Sequence, residues 1–357
     1  MKKKYLSLAL ALTMGLSILS GCGKTAATSE VLTEASTEVV ATVDDASAST
    51  ATDASATDAN GLPTKDRAGN DILVPTEIKS IVSMAPSTTR VLIDLGLADK
   101  IVAIDTNSAV YADQLSADVT QFDMMEPDVE AIVDLEPSIV FTSGMSSYGG
   151  DDAFQSVRDA NICVADIPSS TSFEAISEDL AFIGACVGKA AEADKLIADF
   201  EGQIKDVQDT AKDAANEETS VLFLLSVPTA DYPTVYSVGK GTYIDEMITA
   251  TGAKNACGDQ DSWVSLSEEE AVALDPDVII IAGSAYYTED PATTIKNASA
   301  WSATKAVKNN QVFVVDGDSV NQPNNHVADA LVQMAKFIFP STFADFKDPF
   351  ATATDAE

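Results

Sequence analysis

The chain has 357 residues, with 21 Lys and Arg against 56 Asp and Glu, one His, four Cys and a formal charge of −35. So acidic a surface repels a phosphate backbone, which excludes a nucleic-acid partner, and a single His excludes any multi-histidine metal site. With 46% hydrophobic and 22% charged residues the composition is globular, and the length suits two domains.

Residues 1–21 carry Lys2, Lys3 and Lys4, then the apolar stretch Leu6 to Leu19, and no acid, which is the pattern of a secretory signal peptide. The run is short for a spanning helix and leads at once into Leu19-Ser20-Gly21-Cys22. Those four residues resemble a bacterial lipobox, which implies that Cys22 is lipidated and becomes the first residue after cleavage. Loss of the three lysines takes the net charge from −35 to −38. Lipid chains, at about 0.8 kcal/mol per buried CH₂, would then hold the protein on the outer face of a membrane. Residues 22–61 follow as an acidic tether. From Gly23 to Asn60 there are one Lys, seven acids and no aromatic residue, too little apolar surface to offset the entropy of ordering. Cys163, Cys186 and Cys257 remain, an odd number at wide spacing, and read as small buried hydrophobes.

Beyond the tether, strands are expected at Ile78 to Ser83, Ile101 to Ile104, Ile162 to Ile167, Val221 to Leu225, Val278 to Ile281 and Val312 to Val315. Their apolar residues run on without alternation, as in parallel strands buried on both faces. Two stretches repeat at an offset of 139 residues. Each starts acidic, at Glu130 and Glu269, continues at helical spacing, turns at Pro137 or Pro276, and enters a β-branched run ending at Gly144 or Gly283. Between them, Thr171 to Glu174 reads as a capping box opening one helix, with Gly184 and Gly188 weakening its end. A second helix is expected from Lys189 to Ala214, about 39 Å long at 1.5 Å per residue, with Leu196, Phe200, Ile204 and Val207 as its apolar stripe. The fold class is therefore α/β: two lobes with mainly parallel sheets (62–170 and 216–344) joined by a helical connector (171–215), with a partly packed tail (345–357).

From about Leu62 to Phe343 the chain resembles the extracytoplasmic substrate-binding proteins of ABC importers for iron chelates and vitamin B12. The residues that carry the resemblance are Asp66 to Pro75, Ile81 to Thr89, Leu95 to Val102, the two Glu-to-Pro units, Gly239 to Tyr243 and Trp301 to Val315. It implies two Rossmann-like lobes joined by one long α-helix and a monomer without enzymatic activity or cofactor. It also implies a permease with its ATPase as partners, and a siderophore, haem or corrinoid as ligand. One glutamate per lobe, here Glu130 and Glu269, would pair with arginines of the permease. Acids at helix starts are also favoured by the macrodipole alone, by about 0.3–1 kcal/mol, and Glu268 and Glu270 compete for the second position.

The ligand is expected between the lobes, near the C-terminal ends of the strands. Tyr236 and Trp263 stand where family members place cleft aromatics. Met124 and Ser143 stand where vitamin B12 binders carry tryptophan, which favours an iron chelate over a corrinoid. Arg90 stands where many members carry glutamate, and is either a cleft contact for an anionic ligand or an exposed helix residue. Tyr148, Tyr232, Tyr286, Tyr287 and the loop Asn321 to His326 are further candidates; His326 is a possible contact to a bound metal or a helix cap. A secreted hydrolase is the rival class. Its motifs fail: Gly239-Lys240 lacks a phosphate-loop Gly at Thr234, and Gly144 to Tyr148 lacks the second Gly of a nucleophile elbow. A tethered adhesion module would leave the paired Glu units without a role.

Overall fold

The computed structural model describes residues 56–144, 152–214, 218–229 and 232–351. In the N-terminal lobe, five parallel strands, β1 (Ile81–Met84), β2 (Ile101–Asp105), β3 (Thr120–Phe122), β4 (Ile139–Thr142) and β5 (Cys163–Asp166), lie in the order β3-β2-β1-β4-β5. The connecting helices are α1 (Pro86–Asp94), α2 (Val129–Asp134) and α3 (Gln155–Asp159). Two helices follow, α4 (Phe173–Cys186) and α5 (Ala190–Ala214). The C-terminal lobe has β6 (Ser220–Leu224), β7 (Val235–Val238), β8 (Lys254–Asn255), β9 (Trp263–Leu266), β10 (Val278–Ala282) and β11 (Val312–Val315). Four of these form a parallel sheet in the order β11-β10-β6-β8, and β7 pairs with β9 as an antiparallel ribbon. Its helices are α6 (Tyr243–Ala250), α7 (Glu268–Ala273), α8 (Pro291–Asn297), α9 (Lys305–Lys308), α10 (Gly317–Val320) and α11 (Val327–Ile338).

The unbroken apolar runs are explained by burial on both faces. In β1, Ile81 joins the central core while Val82 and Met84 pack on the opposite side with Ile132, Val140 and Phe154. In the second lobe, Phe223 and Ile280 face the central core while Leu222, Ile279 and Ile281 pack with Trp301. The central core runs through both lobes: Leu180 and Ile183 of α4 and Phe200, Ile204 and Val207 of α5 sit between Ile139 on one side and Phe223, Ile244 and Leu331 on the other. Connector and lobes thus share one apolar interior, which opposes large hinge motion. Cys163, Cys186 and Cys257 are buried and unpaired among the described residues, and burial pushes their thiols up.

The duplication is visible in the backbone. α2 and α7 place Glu130 and Glu269 at the same second helical position, and two residues past the end of each helix stands a residue with positive φ, Glu136 (45°) and Asp275 (44°). Local readings shift in two places. The N-cap of α4 is Ser172, whose side chain accepts from Ala175 N, so Thr171 and Glu174 do not form the expected capping box. Gly184 does not end α4 but lies inside it, where a Cβ would stand 2.3 Å from Ala193 Cβ; the bare Cα lets α5 cross closely, and Gly188 (φ 70°) makes the turn. Gly184→Ala is expected to cost about 2 kcal/mol by overpacking this crossing, read as a lower urea midpoint with an unchanged slope. Order also begins before residue 62: Thr57 bridges Pro63, and Asp58 Oδ1 accepts from Asn60 N and Leu62 N. The tail packs through Phe346, whose ring meets Phe343 and whose carbonyl accepts from Lys336 Nζ, and Phe350 beyond it is half-buried.

Candidate functional site

Parallel strands end together, so the loops that leave them share one edge of the sheet. Ala85, Pro86 and Ser87 after β1, Met124 after β3, Ser143 after β4 and Ile167 to Ser170 after β5 line a cavity of about 210 Å³. Asn321, Gln322 and Pro323 of the C-terminal lobe close its other side. The crevice is therefore interlobar and lined by small hydroxyls, side-chain amides, Pro and Met. Sites for drug-sized ligands span about 300–1,000 Å³, so the crevice is smaller than such a site. At the rim, Asp179 accepts from Ser170 Oγ (2.5 Å) and Arg67 Nε (2.7 Å); its burial outweighs both partners and raises its pKa.

A second cavity, about 370 Å³, lies between Arg90, Tyr111 and Gln114 of the first lobe and Asp316, Asp318, Asn324, His326 and Asp329 of the second. Its wall holds the main polar bridge between the lobes. His326 Nε2 lies 2.8 Å from Asp94 Oδ2, His326 Nδ1 lies 2.8 Å from Asp329 Oδ2, and Asn325 Nδ2 donates to Asp94 Oδ2 (3.0 Å). Gln203 of α5 donates to Asp329 (3.2 Å). Burial alone would lower the His326 pKa, but hydrogen bonds to Asp329 and Asp94 outweigh it and push the imidazole up to about 9. Burial would raise Asp94, but the bonds from His326 and Asn325 hold it below its usual value. An imidazolium protonated on both nitrogens cannot accept from Arg90 Nε, 2.9 Å away. Arg90 is instead held by Asp94, through Nη2 to Oδ1 (3.2 Å), with its guanidinium carbon 5.9 Å from the Tyr111 ring centre.

The sequence-derived candidates separate accordingly. Met124 and Ser143 line the crevice with Asn321 and Gln322. Arg90 and His326 meet each other 236 residues apart in the bridge, where both ring nitrogens of His326 are taken by carboxylates and none is free for a metal. Although His326 occupies the N-cap position of α11, its side chain does not cap the helix. Tyr236 and Trp263 lie on the β7–β9 ribbon, 40% and 51% exposed, outside the lining of either cavity. Tyr287 Oη accepts from Val227 N, and Tyr232 and Tyr286 are exposed. Tyr148 and Cys22 lie outside the described residues. Sequence reasoning missed Asp94, Asp329 and Tyr111; in a chain with 56 acids no local signal distinguishes the two aspartates.

On the outer helices, Glu130 and Glu269 are exposed and neither pairs with a basic side chain among the described residues. The neighbours of Glu269 are engaged: Glu268 accepts from Trp301 Nε1 (2.8 Å), and Glu270 closes a capping box with Ser267. That leaves Glu269 as the counterpart of Glu130. The segment Gly239 to Thr242 serves a turn: a Cβ on Gly239 would stand 2.2 Å from Gln260 O, Gly241 has φ 80°, and Thr242 caps α6.

Among known proteins, an uncharacterised ABC transporter substrate-binding lipoprotein of Bacillus subtilis is 31% identical over 280 residues, 78% of this chain and 86% of the relative. A cobalamin-binding protein of Halobacterium salinarum is 25% identical over 283 residues, 78% and 74% of the two chains. In structure, the chain resembles a periplasmic haem-binding protein from Roseiflexus, with a TM-score of 0.64 at 20% identity, covering 74% of this chain and 99% of that one. Residues 81–319 match the periplasmic binding protein family, to which, with its two parallel-sheet lobes joined by a long helix, this chain belongs.

Proposed function

We propose that the protein is an extracytoplasmic lipoprotein that captures a metal chelate between its lobes and delivers it to the permease and ATPase of an ABC importer. The observation that carries this reading is the crevice at the C-terminal ends of the N-lobe strands, closed by Asn321 to Pro323 of the other lobe. A siderophore or haem is the first reading of the chelate; the relative named for cobalamin binding favours a corrinoid as the second. Among the described residues no catalytic constellation supports the hydrolase reading, since its one possible imidazole base is held by two carboxylates. Exposed Glu130 and Glu269, at matching positions of the two lobes, would meet the permease.

Native mass spectrometry of the protein purified from its own host tests capture directly: an added mass equal to a metal chelate is expected. The polypeptide mass alone, with no rise in the thermal midpoint on adding ferric or cobalt chelates, would count against it. Anchoring has its own test. Among the described residues no helix is long and apolar enough to cross a membrane, and attachment is assigned to Cys22 of the lipobox. Cys22→Ala is expected to move the protein from the membrane fraction to the soluble one, because the acyl chains supply the partition energy. Retention in the membrane fraction would remove the lipoprotein assignment.

A further inference from the structure

The ligand's charge can be read from what the interlobe walls offer. All three arginines are committed: Arg67 to Asp179 (2.7 Å) and Glu178 (2.6 Å), Arg158 to Asp152 (2.9 Å) and Asp166 (2.8 Å), Arg90 to Asp94. No lysine lines either interlobe cavity among the described residues. The 210 Å³ crevice offers Ser87, Ser143, Ser169, Ser170, Asn321 and Gln322, groups that exchange hydrogen bonds without supplying charge, and its one ionisable lining residue, Asp179, is a carboxylate already held by Arg67. α1 has no side-chain cap at Ala85; Pro86 carries no N–H and Thr89 N donates to Ala85 O, which leaves the N–H groups of Ser87 and Thr88 as added donors.

The larger cavity is acidic. Asp316, Asp318 and Asp329 line it, and the two cations present, Arg90 and His326, are already held by Asp94 and Asp329. Burial and the charge of Asp316 raise the Asp318 pKa against the opposing pull of Arg90. Asn324, 1% exposed and part of the same wall, has an Nδ2 donor with no partner among the described residues. An anionic ligand here would be stripped of water with no free cation to replace it, beside carboxylates of like sign.

We propose that the crevice selects a chelate with no net negative charge, an uncharged or cationic complex rimmed by amide or hydroxamate groups, and rejects anionic chelates. The proposal rests on the reading of the crevice as the capture site. Ligand carbonyls would accept from the serine hydroxyls, from Asn321 and Gln322, and from the first turn of α1. A cationic tail reaching from the crevice into the larger cavity would be met by Asp316 and Asp318.

The test is a binding panel on the purified full chain lacking only its signal peptide. Its probes are ferrichrome (uncharged ferric trihydroxamate), ferrioxamine B (cationic ferric trihydroxamate), cyanocobalamin (uncharged, amide-rimmed), ferric enterobactin (trianionic) and haemin (two propionates). At least one uncharged or cationic probe should bind roughly a hundredfold or more tighter than either anionic one. Gln322→Lys, which places a cation on the crevice wall, should raise affinity for an anionic probe at least roughly tenfold. Preferred binding of ferric enterobactin or haemin by the unaltered protein overturns the charge assignment while leaving capture intact. Binding of no probe removes the capture reading, and the charge assignment with it.

Discussion

Uptake through this protein is expected to fall at least roughly a hundredfold when Glu130 and Glu269 are both replaced by alanine, with ligand affinity of the purified protein unchanged. Each substitution removes a carboxylate at the second position of an exposed helix. Charged hydrogen bonds contribute about 1.5–3 kcal/mol each, and two of them span more than two decades in docking affinity. Neither carboxylate is tied to a basic partner within the described protein, so their loss leaves the fold's own ion pairs intact. The macrodipole contribution, at most about 1 kcal/mol per helix, would show as a small loss of stability and no loss of transport. Glu268→Ala gives the contrast. It strips the acceptor from the buried Trp301 indole and should destabilise the second lobe without a specific transport defect. Normal uptake by the Glu130→Ala, Glu269→Ala protein would eliminate docking through this pair, and impaired ligand binding would place the two residues in a different role.

Replacing His326 with Gln is expected to lower stability by about 3 kcal/mol near pH 6 and by little above pH 10. The imidazole is 25% exposed, with carboxylates 2.8 Å from each nitrogen, and its pKa rises from 6.5 to about 9. A pKa raised by folding stabilises the protein fully below the unfolded value of 6.5, and that contribution is lost as pH rises through 9. Asp94 acts in the opposite sense. Its pKa is lowered, so its share is complete above the unfolded value of 3.8 and is lost as pH falls through the lower folded value. The bridge is therefore strongest between these limits. Its other neighbours are Arg90, which opposes the imidazolium charge, and Tyr111, whose hydroxyl burial pushes up to about 12 and leaves neutral throughout. Urea midpoints at pH 6, 8 and 10 for both proteins give the measurement. Parallel pH profiles would mean that the bridge does not hold a proton on folding.

The strands at 101–105, 278–282 and 312–315, the helix at 190–214 and the repeat about Glu130 and Glu269 were legible before any coordinates. Their signals are local: β-branched runs bounded by turns, one apolar stripe at helical spacing, and an acid-to-proline unit occurring twice. The lower reliability of the cap readings has an equally local cause. Ser172 and Thr171 are adjacent and chemically interchangeable as caps, and it is Ser172 whose extended backbone (φ −143°, ψ 164°) turns its side chain onto Ala175 N.

The order of residues by itself determined the fold class, the position of the connector helix and the matching glutamates, because hydrophobic period and turn chemistry act within a few residues along the chain. Tertiary structure alone decided the rest. Arg90, Asp94, Asn325 and His326 come together across more than 230 positions, and Gly184 matters only because Ala193 crosses it. Tyr236 and Trp263 are carried out to a ribbon while Met124 and Ser143 are brought to the crevice. Such pairings depend on how two sheets and a long helix pack around one shared apolar core, and packing between distant segments leaves no periodicity in either segment alone.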